Sequence, residues 1–449
     1  MVIIEDDLDE PQLKGLYIQC SALVAPSLAE GFGLPLAEAM LSGLEVITTG
    51  WSGQMDFCND ETAWLVDYKF APAQTHFHLF DSVWAVPNVE HLAYTMREVY
   101  ELPPSERGQR SARGRALLLD DFRWSDVANR MVHFARKWAQ MPKQPKPRVG
   151  WVTTWNTPCG IAAYSEHLIN NMSANISIFA AHTDTMTKGD GPTVIRCWTS
   201  GENDTLEKLA NQIERNNIDT IVLQFNYSFF SLERLAQFLL GQIEKGRNLV
   251  IMMHSTIDPV QVLPHKKLIK LLEPLSRSQR ILVHGYEDMN RLKTLGLIDN
   301  VTLFPHGILD YQPSPRTFNA SHYTIASYGF FLPNKGLLEL IEALPLLHKD
   351  GLNVHLRMIN AQYPVPVSET LIEEAKMKIL NCKLADYIEI TTDFLTDNQS
   401  LDLLADADLI VFPYQKTGES SSAAVRYGLA TGRPVAVTPL AIFDDVAPA

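Results

Sequence analysis

The chain has 449 residues, of which 46% are hydrophobic and 20% charged, and its formal net charge is -14 at pH 7. This length exceeds what one hydrophobic core organises and predicts two or three domains. The acidic balance disfavours a nucleic-acid partner, because phosphate backbones are bound by basic surfaces. No apolar run approaches the roughly 18 residues of a transmembrane helix. Acidic residues near the N-terminus stand where a secretory signal has positive charge, so a cytoplasmic protein is expected.

The first distinctive stretch is SLAEGFGLPLAEAM, residues 27–40. Glu30 precedes a glycine-rich turn, and Glu38 lies within the helix predicted to follow. At about 1.5 Å per helical residue, eight residues span about 12 Å, roughly the distance from the sugar to the ribose of a nucleotide sugar. The helix N-terminus between them offers free N-H groups to a diphosphate. Two glutamates at this spacing are more often a solvated helix face, but the pattern P-S-x-x-E-G-F-G-L-P-x-x-E-A-M around them is far more specific.

The proline-rich residues 141–147 predict a linker, since proline neither continues a helix nor enters a central strand. Short apolar strands then alternate with amphipathic helices over residues 148–315, and a second such series covers residues 322–449. This alternation predicts βαβ units and parallel, doubly wound sheets. The strands expected in the two series are RVGWVTTW, IDTIVLQF, NLVIMMHS, RILVHG, YTIASYGFF, NVHLRMIN, YIEITTD and DLIVFPY.

An internal repeat links the two parts of the chain. The segment from Leu16 to Thr49 matches the segment from Leu403 to Thr438, with Glu30 facing Glu419. The first copy lacks its leading strands and the second lacks its trailing part. We therefore expect the tail of one unit, residues 1–140, joined to most of a second, with both ends cut from a longer tandem protein whose remaining segments would complement this chain.

With these motifs in place, residues 22–67 resemble the donor-binding domain of the retaining, nucleotide-sugar-dependent glycosyltransferases of GT-B fold, and the resemblance resumes over residues 148–449. It implies an α/β protein with two Rossmann-like, doubly wound parallel-sheet domains, preceded by a partial Rossmann-like donor domain. Residues 148–315 would form the acceptor-side domain and residues 322–449 a truncated donor-binding domain. In that family the first glutamate of E-x7-E contacts the donor hexose and the second the ribose, which assigns these roles to Glu30 and Glu38.

On the acceptor side, the resemblance singles out a glycine and a histidine. Gly160, after the first strand, resembles the glycine loop that lines the interdomain cleft, although a plain strand-to-helix turn explains it equally well. His254 ends a strand at the carboxyl edge of a parallel sheet, where ligands bind. It stands where the family has a histidine near the reacting sugar. His284 and His306 are interpreted as structural.

On the donor side, Lys335 stands at a strand-to-helix junction, where its ammonium would neutralise the diphosphate leaving group. The usual companion arginine is replaced by Phe330, so stabilisation of the leaving group would depend on Lys335, the helix dipole and Arg357 or Arg426. Glu419 keeps the first glutamate of the motif, but Tyr427 replaces the second.

The serines after Glu419 offer a further set of phosphate donors. Ser420, Ser421 and Ser422 would supply hydroxyl and backbone donors to phosphate, although serines also cap helices without any ligand.

No Asp-x-Asp pair lies where a metal would be held, the five cysteines form no C-x-x-C pair, and no His/Cys/carboxylate cluster has ligand spacing. The resemblance thus implies metal-independent transfer, with a UDP- or GDP-type sugar as co-substrate and no other cofactor. The expected partners are this nucleotide-sugar donor and a glycan or other hydroxyl acceptor.

The predicted function is retaining transfer of a hexose to a hydroxyl, in surface polysaccharide synthesis, by a protein that is cytoplasmic or peripheral at the inner membrane face. The alternative is a catalytically degenerate GT-B module that acts as a scaffold or glycan-binding partner. Phe330 and Tyr427 favour the alternative, whereas Lys335 and Glu419 oppose it. A GT-B epimerase or phosphorylase has no positive support in the sequence.

Overall fold

The computed structural model describes residues 3–5, 7–75, 79, 81–141, 146–313 and 322–446. The chain divides into two compact units, Met1–Pro145 and Lys146–Ala449. Most of the predicted linker 141–147 lies outside the described residues, and so does the predicted boundary between residues 315 and 322. Among the described helices, none combines the length and the apolar character needed to cross a membrane.

The first unit contains a three-stranded parallel sheet in the order β1-β2-β3 and an antiparallel hairpin, β4-β5. All five residues of the central strand β2 are buried, as expected for a strand covered on both faces. The hairpin was not predicted from the sequence. The elements are α1 (Glu10–Gln19), β1 (Ala22–Ala25), α2 (Leu34–Leu41), β2 (Glu45–Thr49), β3 (Trp64–Val66), β4 (Tyr68–Pro72), β5 (Val83–Pro87), α3 (Val89–Glu101), α4 (Gln109–Asp121) and α5 (Trp124–Gln140).

The second unit begins with a seven-stranded parallel sheet in the order β12-β11-β10-β9-β6-β7-β8. Its central strands β6 and β9 are almost entirely buried, as expected for a sheet covered by helices on both faces. The elements are β6 (Val149–Thr153), α6 (Gly160–Asn170), β7 (Ile176–Ala181), β8 (Val194–Trp198), α7 (Glu207–Arg215), β9 (Thr220–Phe225), α8 (Leu232–Glu244), β10 (Asn248–Met253), α9 (Leu272–Ser276), β11 (Arg280–Val283), α10 (Tyr286–Thr294) and β12 (Val301–Leu303).

A five-stranded parallel sheet follows, in the order β15-β14-β13-β16-β17. Its chain order reverses between β13 and β16, which makes the carboxyl ends of these two strands the topological switch point. The elements are β13 (Tyr323–Phe330), α11 (Leu337–Lys349), β14 (Val354–Ala361), α12 (Pro366–Asn381), β15 (Ile388–Thr391), α13 (Asp397–Ala405), β16 (Leu409–Phe412), α14 (Ala423–Ala430) and β17 (Val435–Val437). The two sheets confirm the predicted fold class.

One predicted helix differs from the structure. The sequence predicts a helix over residues 265–276, but a 3-10 turn occupies Leu268–Leu271 and α9 begins only at Leu272. The buried ammonium of Lys266 donates to the carbonyl oxygens of Tyr227 and Phe230 at 2.5 and 3.0 Å. With this side chain directed inward, the backbone before residue 268 is not helical. Lys267, the next residue, is extended.

The turn before α11 depends on a glycine at its tightest point. Gly336 has a φ of 70°, and a Cβ there would lie 1.9 Å from the carbonyl oxygen of Pro413. Only glycine lets these two backbones approach so closely. The contact places the loop after β13 directly against the loop after β16 and thereby positions Lys335.

We expect Gly336→Ala to destabilise the second unit more than Gly351→Ala does. Both glycines have positive φ, at 70° and 82°, but a Cβ at Gly351 would meet nothing within 4 Å. The control should cost about 1–2 kcal/mol for the left-handed backbone alone, and Gly336→Ala should add the clash with Pro413. Thermal unfolding of the three chains measures both effects, and equal melting temperatures for the two variants would contradict the close approach.

Candidate active site

The loops that follow the strands of the two sheets in the second unit are bonded to each other. The backbone N-H of Ser420 donates to the carbonyl oxygen of His254 at 3.2 Å. The hydroxyl of Ser255 donates to the carbonyl oxygen of Gly418 at 2.6 Å, and the hydroxyl of Ser420 donates to Asp288 at 3.0 Å. The structure therefore brings the predicted residues His254, Glu419 and Ser420 to one place.

Lys335 and Glu419 form a direct ion pair, with 3.1 Å between Nζ and Oε2. The same ammonium lies 3.9 Å from the ring centroid of Tyr414, a cation-π contact. Burial alone would lower the pKa of Lys335, but Glu419 and Tyr414 outweigh it and the pKa is raised. Lys335 is therefore a permanently charged group near the start of α11, where a phosphate would also meet the free N-H groups of the helix.

The hydroxyls of the three serines after Glu419 all have partners within the chain. Ser420 donates to Asp288, Ser421 donates to Asp445 at 3.0 Å, and the oxygen of Ser422 accepts from the N-H of Val425 and caps α14. A phosphate would have to replace these bonds or use backbone donors. Their predicted contact with phosphate stays a prediction.

The two arginines named as additional groups for the leaving group lie in different places. Arg357 forms ion pairs with Glu389 and Asp406 and donates to the carbonyl oxygen of Leu403. Because Leu403 and Asp406 lie at the end of α13, just before β16 begins, these contacts point to the amino-terminal edge of the sheet. The expectation that Arg357 could stabilise a leaving group at the opposite edge is wrong.

Arg426 lies at the site, on α14, with its side chain 12% exposed and paired with Asp445. Its Nε has no hydrogen-bond partner among the described residues. An anion at this nitrogen would therefore satisfy a buried donor, so Arg426 remains available for the predicted role.

Phe330 and Tyr427, which replace the usual donor-binding residues, both contact other side chains of the second unit. The ring of Phe330 contacts Tyr363 and Phe394, with centroids 5.0 and 5.8 Å away. The hydroxyl of Tyr427 donates to Asp397 at 2.6 Å, and its ring lies 4.7 Å from that of Tyr328. At the place where the resemblance puts a ribose contact, the structure has a tyrosine fixed to an aspartate.

Asp397 also accepts a hydrogen bond from a residue of α6, the helix that follows the first strand of the seven-stranded sheet. Nε2 of His167, on α6, lies 2.8 Å from Oδ2 of Asp397, so Tyr427, Asp397 and His167 form one network. Asp397 and His167 were not predicted as site residues, because nothing in the sequence links two residues so far apart. The only local signal is Thr396, which with Gln399 forms a capping box at the start of α13.

Three histidines gather at the carboxyl edge of the seven-stranded sheet. The ligand nitrogens of His254, His284 and His306 all lie within 4.8 Å of one another. Burial lowers the pKa of each imidazole, to about 4 for His284, so all three are neutral at pH 7. The sequence showed no cluster with ligand spacing, because these residues are distant along the chain and meet only through neighbouring strands.

Gly160 is the first residue of α6 and is exposed. A Cβ added there would meet nothing within 4 Å, and its φ is not in the left-handed region. Neither the turn nor packing therefore requires glycine at this position, and its predicted place in a ligand cleft stays a prediction.

In the first unit, Glu30 and Glu38 lie on either side of the start of α2. The carboxylate of Glu30 accepts from Ser27 at 2.7 Å, and its carbonyl oxygen accepts from the N-H of Gly53 at 3.0 Å. Glu38 is exposed and accepts from the hydroxyl of Tyr17 at 3.4 Å. Their predicted contacts with hexose and ribose stay predictions.

Residues 2–75 match the family described as Glycosyl transferases group 1. Sucrose-phosphate synthase from Thermosynechococcus elongatus has a similar structure, with a TM-score of 0.51 and 14% identity over 66% of this chain and 82% of that chain. The chain has the GT-B fold. No curated protein matches the sequence.

Two further solved structures are similar to this GT-B chain at lower scores. One is a UDP-forming α,α-trehalose-phosphate synthase from Burkholderia xenovorans, with a TM-score of 0.49 and 12% identity over 67% of this chain and 86% of that chain. The other is HepE from Anabaena in complex with UDP and glucose, with a TM-score of 0.47 and 13% identity over 66% of this chain and 82% of that chain.

We expect the contribution of Asp397 to stability to depend on pH. The hydrogen bond from His167 outweighs burial and lowers the pKa of Asp397. A carboxylate with a lowered folded-state pKa stabilises the protein above its unfolded pKa, about 3.9, and loses that effect as the pH falls through the folded pKa. Asp397→Asn should therefore lower the free energy of unfolding by about 1 kcal/mol or less at neutral pH, because the side chain is 47% exposed, and by less at an acidic pH below the folded-state pKa.

Thermal unfolding at both pH values measures this difference. Tyr427→Phe removes a neutral donor from the same network without removing the carboxylate, so its effect should change less with pH. An Asp397→Asn effect of the same size at both pH values would contradict the assignment.

Proposed function

We propose that the chain transfers a hexose from a nucleotide-diphosphate sugar to a hydroxyl acceptor with retention of anomeric configuration. The observation that carries the proposal is the Lys335-Glu419 pair at the carboxyl edge of the five-stranded sheet, beside the loop that contains His254. An ammonium and a carboxylate at a GT-B switch point are groups that recognise a diphosphate and sugar hydroxyls, respectively. The group 1 glycosyl transferase match of residues 2–75 supports the same reaction class.

In this reaction the acceptor oxygen bonds to the anomeric carbon as the bond from that carbon to the diphosphate breaks. The diphosphate leaves on the same face and takes up the acceptor proton. Lys335 and the N-terminus of α11 hold the developing negative charge, Glu419 accepts hydrogen bonds from the hexose, and the neutral imidazole of His254 orients the sugar. Movement of the two sheets towards each other would exclude water, which competes as an acceptor.

The acceptor, the biological role and the cellular location belong to the same proposal. A glycan acceptor, a role in surface polysaccharide synthesis and a location in the cytoplasm or at the inner membrane face follow from the family resemblance. Metal-independent transfer and a UDP- or GDP-type donor have the same basis. Within the first unit, Glu30 and Glu38 would serve the donor site of a complementing segment.

A second candidate function is a catalytically degenerate GT-B module that binds a glycan or a complete enzyme. The observation in its favour is the hydroxyl of Tyr427, which is bound to Asp397 at 2.6 Å where a ribose contact is expected. Phe330 likewise packs against two aromatic rings and offers no charge to a leaving group.

Calorimetric titration with UDP, GDP and their common sugar conjugates separates the two functions. We expect one nucleotide to bind the full chain, and Lys335→Ala and Glu419→Ala each to weaken binding by about 10–100-fold, the loss of a hydrogen bond to a charged group. Lys376→Ala removes an exposed lysine that pairs with Glu373 and should leave affinity unchanged. If the folded wild-type chain binds none of these ligands, the degenerate module is the better description.

Gly160→Ala tests the glycine loop without disturbing the fold. Because a Cβ at Gly160 has open space, the variant should keep or slightly raise the melting temperature, as alanine favours helix. If a ligand approaches this backbone, sugar transfer should fall several-fold. Gly241→Ala, in the interior of α8 and equally free of contacts, is the matched control and should retain full activity; unchanged transfer by Gly160→Ala would remove this loop from the site.

A further inference from the structure

The three clustered histidines follow three neighbouring strands of the seven-stranded sheet. Met253 is paired with Val283, and Val283 with Leu303, so His254 and His284 come directly after paired residues. Parallel strands lie about 4.8 Å apart, and the ring centroids of His254 and His284 are 5.1 Å apart. The ring of His306 lies 4.2 Å from that of His284. The sheet itself therefore fixes the spacing of the imidazoles.

The hydrogen bonds of two rings leave one nitrogen of each ring with a free lone pair. Nδ1 of His284 donates to the carbonyl oxygen of Phe304 at 2.9 Å, so the lone pair is on Nε2, a buried atom without a partner among the described residues. Nε2 of His254 donates to the side-chain oxygen of Gln224 at 2.7 Å, which leaves the lone pair of Nδ1 free. Histidines that bind metals are oriented in this way, with the second nitrogen bonded to a carbonyl oxygen.

We propose that His254, His284 and His306 bind a divalent transition-metal ion, Zn²⁺ in the first place. Imidazole nitrogen is a preferred ligand of zinc, and the three ligand nitrogens lie within 4.8 Å of one another. In a tetrahedral site with Zn-N bonds of 2.0–2.1 Å the nitrogens would be about 3.4 Å apart, so small ring movements complete the site. No described carboxylate or cysteine belongs to the group, so the ion has three protein ligands and an open fourth position.

The surroundings allow a cation at this position. The positive charge of Arg426 lowers the pKa of His284 and of His306, but this guanidinium is paired with Asp445. The negative charge of Asp288 raises the pKa of His284. Tyr164, itself buried, contacts all three imidazoles at ring-centroid distances of 4.7–5.3 Å. One side of the cluster is thus closed by an apolar ring, which favours neutral imidazoles that a metal can bind.

This site goes beyond the proposed sugar transfer, and the nitrogen of His254 that binds the ion is not available to the hexose while the ion is bound. Its test measures metal rather than activity. The full chain is freed of metal with a chelator and titrated with Co²⁺, whose tetrahedral complexes absorb visible light, and then with Zn²⁺. We expect one equivalent of Co²⁺ to bind, and Zn²⁺ to displace it. His284→Gln and His306→Gln should abolish the absorption, and Gln224→Leu should weaken binding by about 10–100-fold through loss of the bond that orients His254.

His133→Gln, which removes an exposed histidine of α5, is the control and should bind as the wild type does. A folded wild-type chain that gives no tetrahedral Co²⁺ spectrum overturns the proposal, and so does equal binding by folded His284→Gln or His306→Gln. X-ray absorption of the zinc-loaded wild type decides the matter without any variant. Three imidazole nitrogens around the ion would support the site, whereas coordination dominated by sulfur or carboxylate oxygen would refute it.

Discussion

Parallel strand pairing is the constraint on which the site depends. In both sheets of the second unit every strand runs in one direction, so all carboxyl ends lie at one edge. The bond from the N-H of Ser420 to the carbonyl oxygen of His254 then joins the two edges. Through this arrangement, residues from several strand ends, distant along the chain, become neighbours: Lys335 meets Glu419, and His254 meets His284 and His306.

The sequence predicts the architecture well because apolar periodicity records burial directly. Each strand predicted from residue 322 onwards is present, since short β-rich segments that alternate with amphipathic helices are typical of a parallel sheet. In the second unit β7, β8, β12 and β17 were not predicted, and the helix predicted over residues 265–267 is absent. There the inward ammonium of Lys266, bonded to two backbone carbonyls, prevents helix formation. No periodicity reports where a single buried charge will find its partners.

Side-chain partners are the part of the site that sequence reasoning could not supply. Family resemblance singled out Lys335 and Glu419 but not their ion pair. It also kept Arg357 as a candidate, although Glu389 and Asp406 hold that side chain at the opposite edge. His167 and Asp397 carried no signal, because their meeting depends on how α6 and α13 are placed. Contacts between elements far apart in the chain follow from the packing, which a local pattern does not encode.

The strengths of two internal bonds bear on the proposed donor site. Glu419 is half-exposed, and an ion pair of this kind contributes about 1 kcal/mol or less. Charge-assisted bonds from Lys335 to a diphosphate are worth about 1.5–3 kcal/mol, so under the proposed function a donor displaces Glu419 and leaves it free to accept from the hexose. Tyr427, by contrast, is buried, packed on Tyr328 and bound to Asp397. Under the proposed function, Lys335 and Glu419 could therefore serve phosphate and hexose, whereas the hydroxyl of Tyr427 is already bound and does not replace the ribose contact.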